Sequence, residues 1–158
     1  ISQREVGKHV ESFAKGLKSA LREDPDVVLV GELRDLETVS MALTAAETGH
    51  LVMGTLHTNG APNTINRILD VFPPAQQSQA RSQLSQSLRI VVTQQLIPTR
   101  DKKGRIAAYE IMKCNSAVQN LIREGKIFQI PSIMQTAAAE GMVTMEKSIE
   151  NLRAEGKI

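Results

Sequence analysis

Between His9 and Glu23 the apolar residues Val10, Phe13, Leu17, Ala20 and Leu21 recur at i, i+3, i+7, i+10 and i+11, while Lys8, Glu11, Lys15, Lys18 and Arg22 take the other side. That spacing predicts one amphipathic helix. Asp24-Pro25-Asp26 ends it, because a residue before proline is pushed out of the right-handed helical region. Val27-Val28-Leu29-Val30-Gly31 then runs uniformly apolar and β-branched, the pattern expected of a strand buried on both faces of a parallel sheet. After the polar Glu32-Leu33-Arg34-Asp35, the residues Leu36, Val39, Leu43 and Ala46 predict a second helix that stops at Gly49. Leu51-Val52-Met53-Gly54-Thr55-Leu56 predicts a second strand. Strand, helix, strand in this order is a βαβ unit, so the two strands are expected to run parallel.

Downstream, Pro62 suits a first helical position, Ile65, Ile68, Leu69 and Phe72 complete a short amphipathic helix, and Pro73-Pro74 breaks it. The Gln- and Ser-rich stretch from Gln76 to Gln86 merges into a Leu84, Leu88, Val91 pattern, which reads as a helix with a solvated face. Gln95 to Pro98 and Arg105 to Met112 flank the polar turn Thr99 to Gly104 and predict an antiparallel hairpin. Past Met112 the pattern is helical again, clearest over Ala117 to Glu124 and Thr144 to Ala154. No internal repeat is present.

Parallel strands place both carboxyl ends on one edge of the sheet, where open α/β folds bind their ligands. Glu32 and His57 sit just past those ends and are candidates for one crevice, with a third strand between them left open. An acid directly after a buried strand and a glycine suits the orientation or activation of a water in a nucleoside triphosphatase. The ordinary alternative is an exposed acid paired with Arg34, and Asp35 equally reads as a helix cap. His50 and His57 flank the second strand; an extended strand holds them roughly 20 Å apart, which is not metal-ligand spacing. His50 also suits the C-terminal end of the preceding helix, which leaves His57 as the functional candidate by its edge position.

Composition narrows the partners. Hydrophobic residues make up 41% and charged residues 23%, the balance of one globular domain. Aromatic residues are only 3%, too few to build stacking platforms for single-stranded nucleic acid. The net charge of +2 is spread along the chain instead of forming a basic footprint, so no nucleic-acid partner is expected. No apolar run approaches the roughly 18 residues a membrane span requires, and no signal peptide is recognisable. A cytoplasmic location without membrane insertion is therefore expected. Cys114 is the single cysteine, so it cannot close an internal disulfide, and no metal site is expected. Ile1 leads without an initiating Met straight into helical patterning, which reads as a cut through a longer protein. No G-x-x-x-x-G-K-[ST] loop occurs, since Gly7-Lys8, Gly125-Lys126 and Gly156-Lys157 lack both the leading glycine and the hydroxyl residue.

Taken together, Leu21 to Asp26, Val30-Gly31-Glu32-Leu33-Arg34-Asp35, and Thr48-Gly49-His50 through Leu56-His57-Thr58 resemble the secretion ATPase superfamily of type II secretion and type IV pili, almost end to end. By that resemblance Gly31 takes the usual aspartate position of an atypical Walker B region spanning Gly31, Glu32, Arg34 and Asp35. Glu32 matches the catalytic glutamate, and His57 and His50 match the two histidines of a box that senses the terminal phosphate. Ala45 to Gly49, Asp70-Val71-Phe72-Pro73 and Ala117 to Glu124 resemble the retraction branch. The last of these departs from the branch pattern AIRNLIRE at Val118 and at Gln119, where the pattern has arginine. It marks Asn120, Leu121, Ile122, Arg123 and Glu124 as a motor-output element. A single cysteine also contrasts with the four-cysteine insertion usual in extension and type II secretion ATPases.

The resemblance implies a RecA-like α/β fold: residues 1–112 as the C-terminal part of a RecA-like ATPase domain with a parallel sheet and flanking helices, residues 113–158 as a helical C-terminal region. A PAS-like domain and the phosphate-binding loop are expected upstream. ATP and Mg²⁺ are the implied ligands. The implied assembly is a homo-hexamer at the inner face of the inner membrane, working on a pilus platform protein to drive pilus retraction. An extension or secretion ATPase of the same superfamily, and a ring-forming paralogue without catalysis, are the alternatives. Because no residue here can cradle the β- and γ-phosphates, the isolated 158-residue chain is expected to release no phosphate from ATP above the blank. Turnover by the pure chain that disappears on Glu32→Gln would overturn that expectation.

Overall fold

The first helix begins later than its apolar spacing suggests. Ser12 adopts an extended backbone, and its side chain accepts a hydrogen bond from the Lys15 N–H, which satisfies one of the donors left free at a helix start. Helix α1 therefore covers Phe13–Ala20 and tightens into a 3₁₀ turn over Leu21–Glu23. The residues ahead of it form a turn over 7–9 instead, in which the Gly7 N–H donates to the Val10 carbonyl (2.8 Å) and the His9 N–H to the Glu5 carbonyl (2.8 Å). Asp24, the residue before proline, sits in the left-handed region at φ 53° and ends the helical path.

The computed structural model describes residues 1–158 as two compact units, Ile1–His57 with Ile68–Ser87, and Thr58–Arg67 with Leu88–Ile158. In the first, β1 (Val27–Val30) and β2 (Leu51–Gly54) pair in parallel, from Val27 opposite Leu51 to Val30 opposite Gly54, and α2 (Leu36–Glu47) makes the crossover. Leu17, Val30 and Ala42 form its core, with Leu21, Val28, Leu33, Met41 and Val52 packed against them. The strands are not buried on both faces as their uniform apolar runs suggest. Strand side chains alternate between faces; α1 and α2 cover the face of Val28, Val30 and Val52, while Val27, Leu29, Leu51 and Met53 stand exposed because no element of this chain packs on them. Helix α3 (Ala61–Asp70) lends its last residues, Ile68 and Leu69, to this unit, and α4 (Pro74–Ser87) buries Ala80 and Leu84 in it. Pro74 both separates the two helices and opens α4, where its fixed φ and missing N–H are tolerated.

The second unit is built on a hairpin longer than the sequence pattern implies. Strands β3 (Ile90–Pro98) and β4 (Arg105–Lys113) pair from Ile90 opposite Lys113 to Pro98 opposite Arg105. Val91 lies on β3 and not on a continuing helix: Val91 and Thr93 point inward while Ile90 and Val92 are exposed, a period of two that overrides the i, i+4, i+7 reading of Leu84, Leu88 and Val91. The hairpin turn closes through the Thr99 N–H to the Gly104 carbonyl (3.0 Å), and the Asp101 carboxyl accepts from the Thr99 hydroxyl (2.6 Å). Helices α5 (Ser116–Glu124), α6 (Ile130–Thr136) and α7 (Met145–Ala154) follow. Asn115 caps α5 by accepting from the Val118 N–H (3.1 Å), and Gly125 ends it at φ 73°. Ile111 and Val143 exchange backbone hydrogen bonds of 2.8 and 2.9 Å, and the Tyr109 N–H donates to the Ser148 hydroxyl (3.0 Å), which holds α7 on β4.

Candidate active site

The parallel register settles what the chain pattern left open: β1 pairs directly with β2, with no strand between, so the segments leaving Val30 and Gly54 emerge side by side. Thr55 carries the pairing beyond the strand ends. Its carbonyl accepts from the Leu33 N–H (3.0 Å), and its hydroxyl donates to the Gly31 carbonyl. Glu32 lies between these two bonds. The glycines have steric reasons: a Cβ on Gly54 would stand 2.7 Å from Leu33 Cδ1, and one on Gly31 would stand 3.2 Å from the Phe13 ring.

Glu32 Oε1 lies 3.8 Å from His57 Nε2, and Glu32 Oε2 lies 2.5 Å from Arg34 Nη2. The three side chains differ in exposure: Glu32 keeps 18% of its surface open, Arg34 68% and His57 86%. The hydrogen bond from Arg34 holds the Glu32 carboxyl below the usual carboxylate range. Desolvation pushes the other way and is outweighed, with the charges of Arg34 and His57 adding to the lowering. The result is a carboxylate sheltered at the carboxyl edge of two parallel strands, with an exposed guanidinium and an open imidazole beside it.

The other sequence candidates lie elsewhere. Asp35 is spent on α2: its carboxyl oxygens accept from the Thr38 N–H and the Thr38 hydroxyl, both at 2.9 Å, and Thr38 is buried. Such a cap contributes typically about 1 kcal/mol. His50 is at the opposite end of β2 from His57, with Nδ1 3.0 Å from the Ala45 carbonyl and 3.3 Å from the Thr48 hydroxyl, so it closes the end of α2 and does not reach Glu32. On α5, Asn120, Arg123 and Glu124 face solvent, Leu121 is half-buried and Ile122 is fully buried. Lys126 pairs with Glu124 at 2.8 Å, and that hydrogen bond lowers the Glu124 carboxyl. No group of three or more His, Cys, Asp and Glu could hold a metal ion, and burial pushes the Cys114 thiol up to about 11.

Two features escape the sequence pattern. Thr55 has no local signature as a clamp; only the register of β1 on β2 brings it to Gly31 and Leu33. The segment after His57 is the other. Thr58 and Thr64 share a hydroxyl hydrogen bond (2.7 Å), the Asn63 amide donates to the Asn59 carbonyl (2.7 Å), and the Ala61 N–H donates to Glu110 Oε1 (2.7 Å) from β4. Gly60, at φ 85° just before Ala61-Pro62, is the signal in the sequence for the turn. Nothing in the sequence announces Glu110.

The family profile described as Type II/IV secretion system protein matches residues 1–157. The chain is 58% identical over 158 residues to the twitching motility protein of Neisseria gonorrhoeae, covering 100% of this chain and 42% of that protein. It is 52% identical over 158 residues to the type IV pilus retraction ATPase PilT of Pseudomonas aeruginosa, covering 100% of this chain and 46% of that one. The crystal structure of the pilus retraction motor PilT with bound ADP superposes with a TM-score of 0.89 at 52% identity, over 99% of this chain and 44% of that chain. The chain thus spans less than half the length of these relatives, and its mixed α/β architecture with a helical C-terminal segment is the RecA-like fold of secretion ATPases.

The lowered Glu32 carboxyl depends chiefly on Arg34. A group whose folded-state value is depressed contributes stability that is present above its unfolded value and is lost as pH falls through the folded one. Arg34→Ala is therefore expected to move the Glu32 carboxyl up toward the ordinary range, followed by carbon-13 NMR titration. No upward movement would mean that Arg34 does not engage Glu32 in solution.

Proposed function

Because the chain belongs to the type II/IV secretion system protein family, we propose that it is the catalytic part of a hexameric motor ATPase that couples ATP hydrolysis to type IV pilus retraction. The observation that carries this reading is the Glu32–His57 pair at the carboxyl edge of the parallel strands. The twitching-motility and pilus-retraction relatives give the reading its biological direction. Residues 1–112 are taken as the C-terminal part of the RecA-like ATPase domain and 113–158 as its helical C-terminal region.

In this proposal, water attacks the γ-phosphorus of ATP while the bond from that phosphorus to the β–γ bridging oxygen breaks, giving ADP and inorganic phosphate. Phosphoryl transfer asks the protein mainly for positioning and electrostatics. Glu32, oriented by its hydrogen bond from Arg34, accepts a hydrogen bond from the water and aligns it. The hydrogen bond from Arg34, which is largely exposed, lowers the Glu32 carboxyl and occupies one of its oxygens, which leaves the other for the water. His57 reads the terminal phosphate through its open Nε2. His50 anchors the far end of β2 and senses nucleotide only through that strand. Gly31, Arg34 and Asp35 complete the Walker B region, with Asp35 fixing the start of α2.

Mg²⁺, when bound, neutralises charge on the phosphates. This chain offers no three-ligand cluster for it, so no step is assigned to the ion. The same proposal places the protein as a homo-hexamer in the cytoplasm at the inner face of the inner membrane, acting on an inner-membrane pilus platform protein. No helix is long and apolar enough to cross a membrane. Asn120, Arg123 and Glu124 are the exposed face of the output element, seated by Leu121 and Ile122.

Glu32→Gln in the full-length protein keeps the side-chain shape and is expected to retain nucleotide binding while lowering turnover at least ~10²-fold, the scale of losing a general base or water-orienting group. Unchanged kcat with a raised KM would sink the catalytic assignment.

The double substitution Arg123→Ala with Glu124→Ala is expected to leave hexamer formation and ATP binding intact yet fail to restore twitching motility to a deletion strain. Full restoration would reduce the segment to a packed surface helix.

A further inference from the structure

We infer that Glu110 is a positioning residue for the segment that carries His57. His57 is almost fully exposed, and its one polar neighbour is Glu32 at 3.8 Å. Its place is thus set by the chain on either side. Upstream, Thr55 is fastened to Gly31 and Leu33. Downstream, the fastening runs through the start of α3 to Glu110.

Gly60 supplies the first helical acceptor of α3, taking the Thr64 N–H at 3.1 Å. The Ala61 N–H therefore has no partner within the helix, and Pro62 has no N–H at all. Ala61 is 0% exposed, so water cannot take its donor. Glu110 Oε1 takes it at 2.7 Å. The same oxygen accepts from the buried Thr93 hydroxyl at 3.2 Å, and Thr93 is the residue directly opposite Glu110 across the hairpin. The hairpin register thus holds Glu110, and Glu110 holds the first residue of α3. An acidic side chain at a helix start also complements the helix dipole.

From that fixed start the loop is built backward. Thr64 donates its hydroxyl proton to the Gly60 carbonyl at 2.9 Å and accepts from the Thr58 hydroxyl at 2.7 Å, while Asn63 donates to the Asn59 carbonyl at 2.7 Å. Each residue from Thr58 to Ala61 therefore has a hydrogen bond to α3 or to Glu110, and Thr58 is joined directly to His57. A residue 49 positions from Ala61 fixes where the loop ends and α3 begins. The effect on turnover rests on the reading of His57 as the phosphate sensor; the effect on the loop does not.

Both are measured on the full-length protein. Glu110→Ala is expected to speed hydrogen exchange in the peptide 57–64 roughly tenfold, as loss of a buried hydrogen bond implies. It is also expected to lower kcat for ATP by roughly tenfold with KM nearly unchanged, as misplacement of a group used in the reaction implies. Glu110→Gln keeps an oxygen that accepts the same two bonds and is expected to restore both the protection and most of the turnover. Thr93→Val, which removes the hydroxyl steadying Glu110, is expected to shift both readouts in the same direction by less, and it stands in if Glu110→Ala does not fold. Unchanged exchange over 57–64 in Glu110→Ala, or in Thr93→Val where that is the variant that folds, overturns the proposal; so does faster exchange with unchanged kcat. If His57→Ala itself leaves turnover unchanged, the phosphate-sensing reading fails together with the catalytic consequence assigned to Glu110, and exchange over 57–64 alone then decides whether Glu110 holds the loop.

Discussion

Parallel pairing of β1 with β2, from Val27 against Leu51 to Val30 against Gly54, is the constraint on which the site depends. Two strands joined through a helix leave their carboxyl ends on one edge, and an in-register pair leaves them there at nearly the same height. Glu32 and His57 are consequently neighbours without any bond between their own backbones. A slip of one residue would turn every side chain of a strand to the other face. It would also take Thr55 away from the Gly31 carbonyl and the Leu33 N–H. The glycines at the ends of the pair protect the same arrangement, since a methyl group on Gly54 would collide with Leu33.

Electrostatics then divides the labour among side chains of different exposure. Glu32 is sheltered enough to have one dominant partner, Arg34, whose hydrogen bond lowers the carboxyl. Arg34 and His57, by contrast, are largely open to solvent. Asp35 takes no part in this pairing: a helix start and a buried threonine hydroxyl occupy both of its oxygens. Four consecutive residues, Glu32 to Asp35, thus hold an acid, a packing residue, an exposed cation paired with that acid and a helix cap, in that order.

Most of the fold was legible in the chain. The βαβ unit, the hairpin turn and the helix at Ala117 to Glu124 follow from periods of two and 3.6 and from glycine and proline at their ends, since backbone geometry imposes those periods locally. Glu32, and His57 by its edge position, were also legible, because a polar residue at the end of an apolar strand has few places to go. Local signals misled where two periods overlap or a single hydrogen bond decides. Ser12 moved the start of α1, and Val91 passed from a helical to a strand pattern because β3 begins earlier than its turn suggests.

What tertiary structure alone decided is whatever needs two distant segments at once. Uniform apolarity in Val27 to Val30 and Leu51 to Met53 cannot say that only one face of the pair is covered, because covering depends on where α1 and α2 lie. The absence of a third strand between Glu32 and His57 is a property of sheet order, to which each strand's own sequence is blind. The places of His50 and His57 about β2 could be read along the chain, yet the atoms each one meets, the Ala45 carbonyl for His50 and the Glu32 carboxyl for His57, are set by the fold. Glu110 reads as one more polar residue on a strand until the hairpin register and the start of α3 bring it to the Ala61 N–H. The sequence determined the elements and the acid at their edge, because those follow from local periodicity; the structure determined the partners, because a hydrogen bond between residues 49 apart leaves no trace in either neighbourhood.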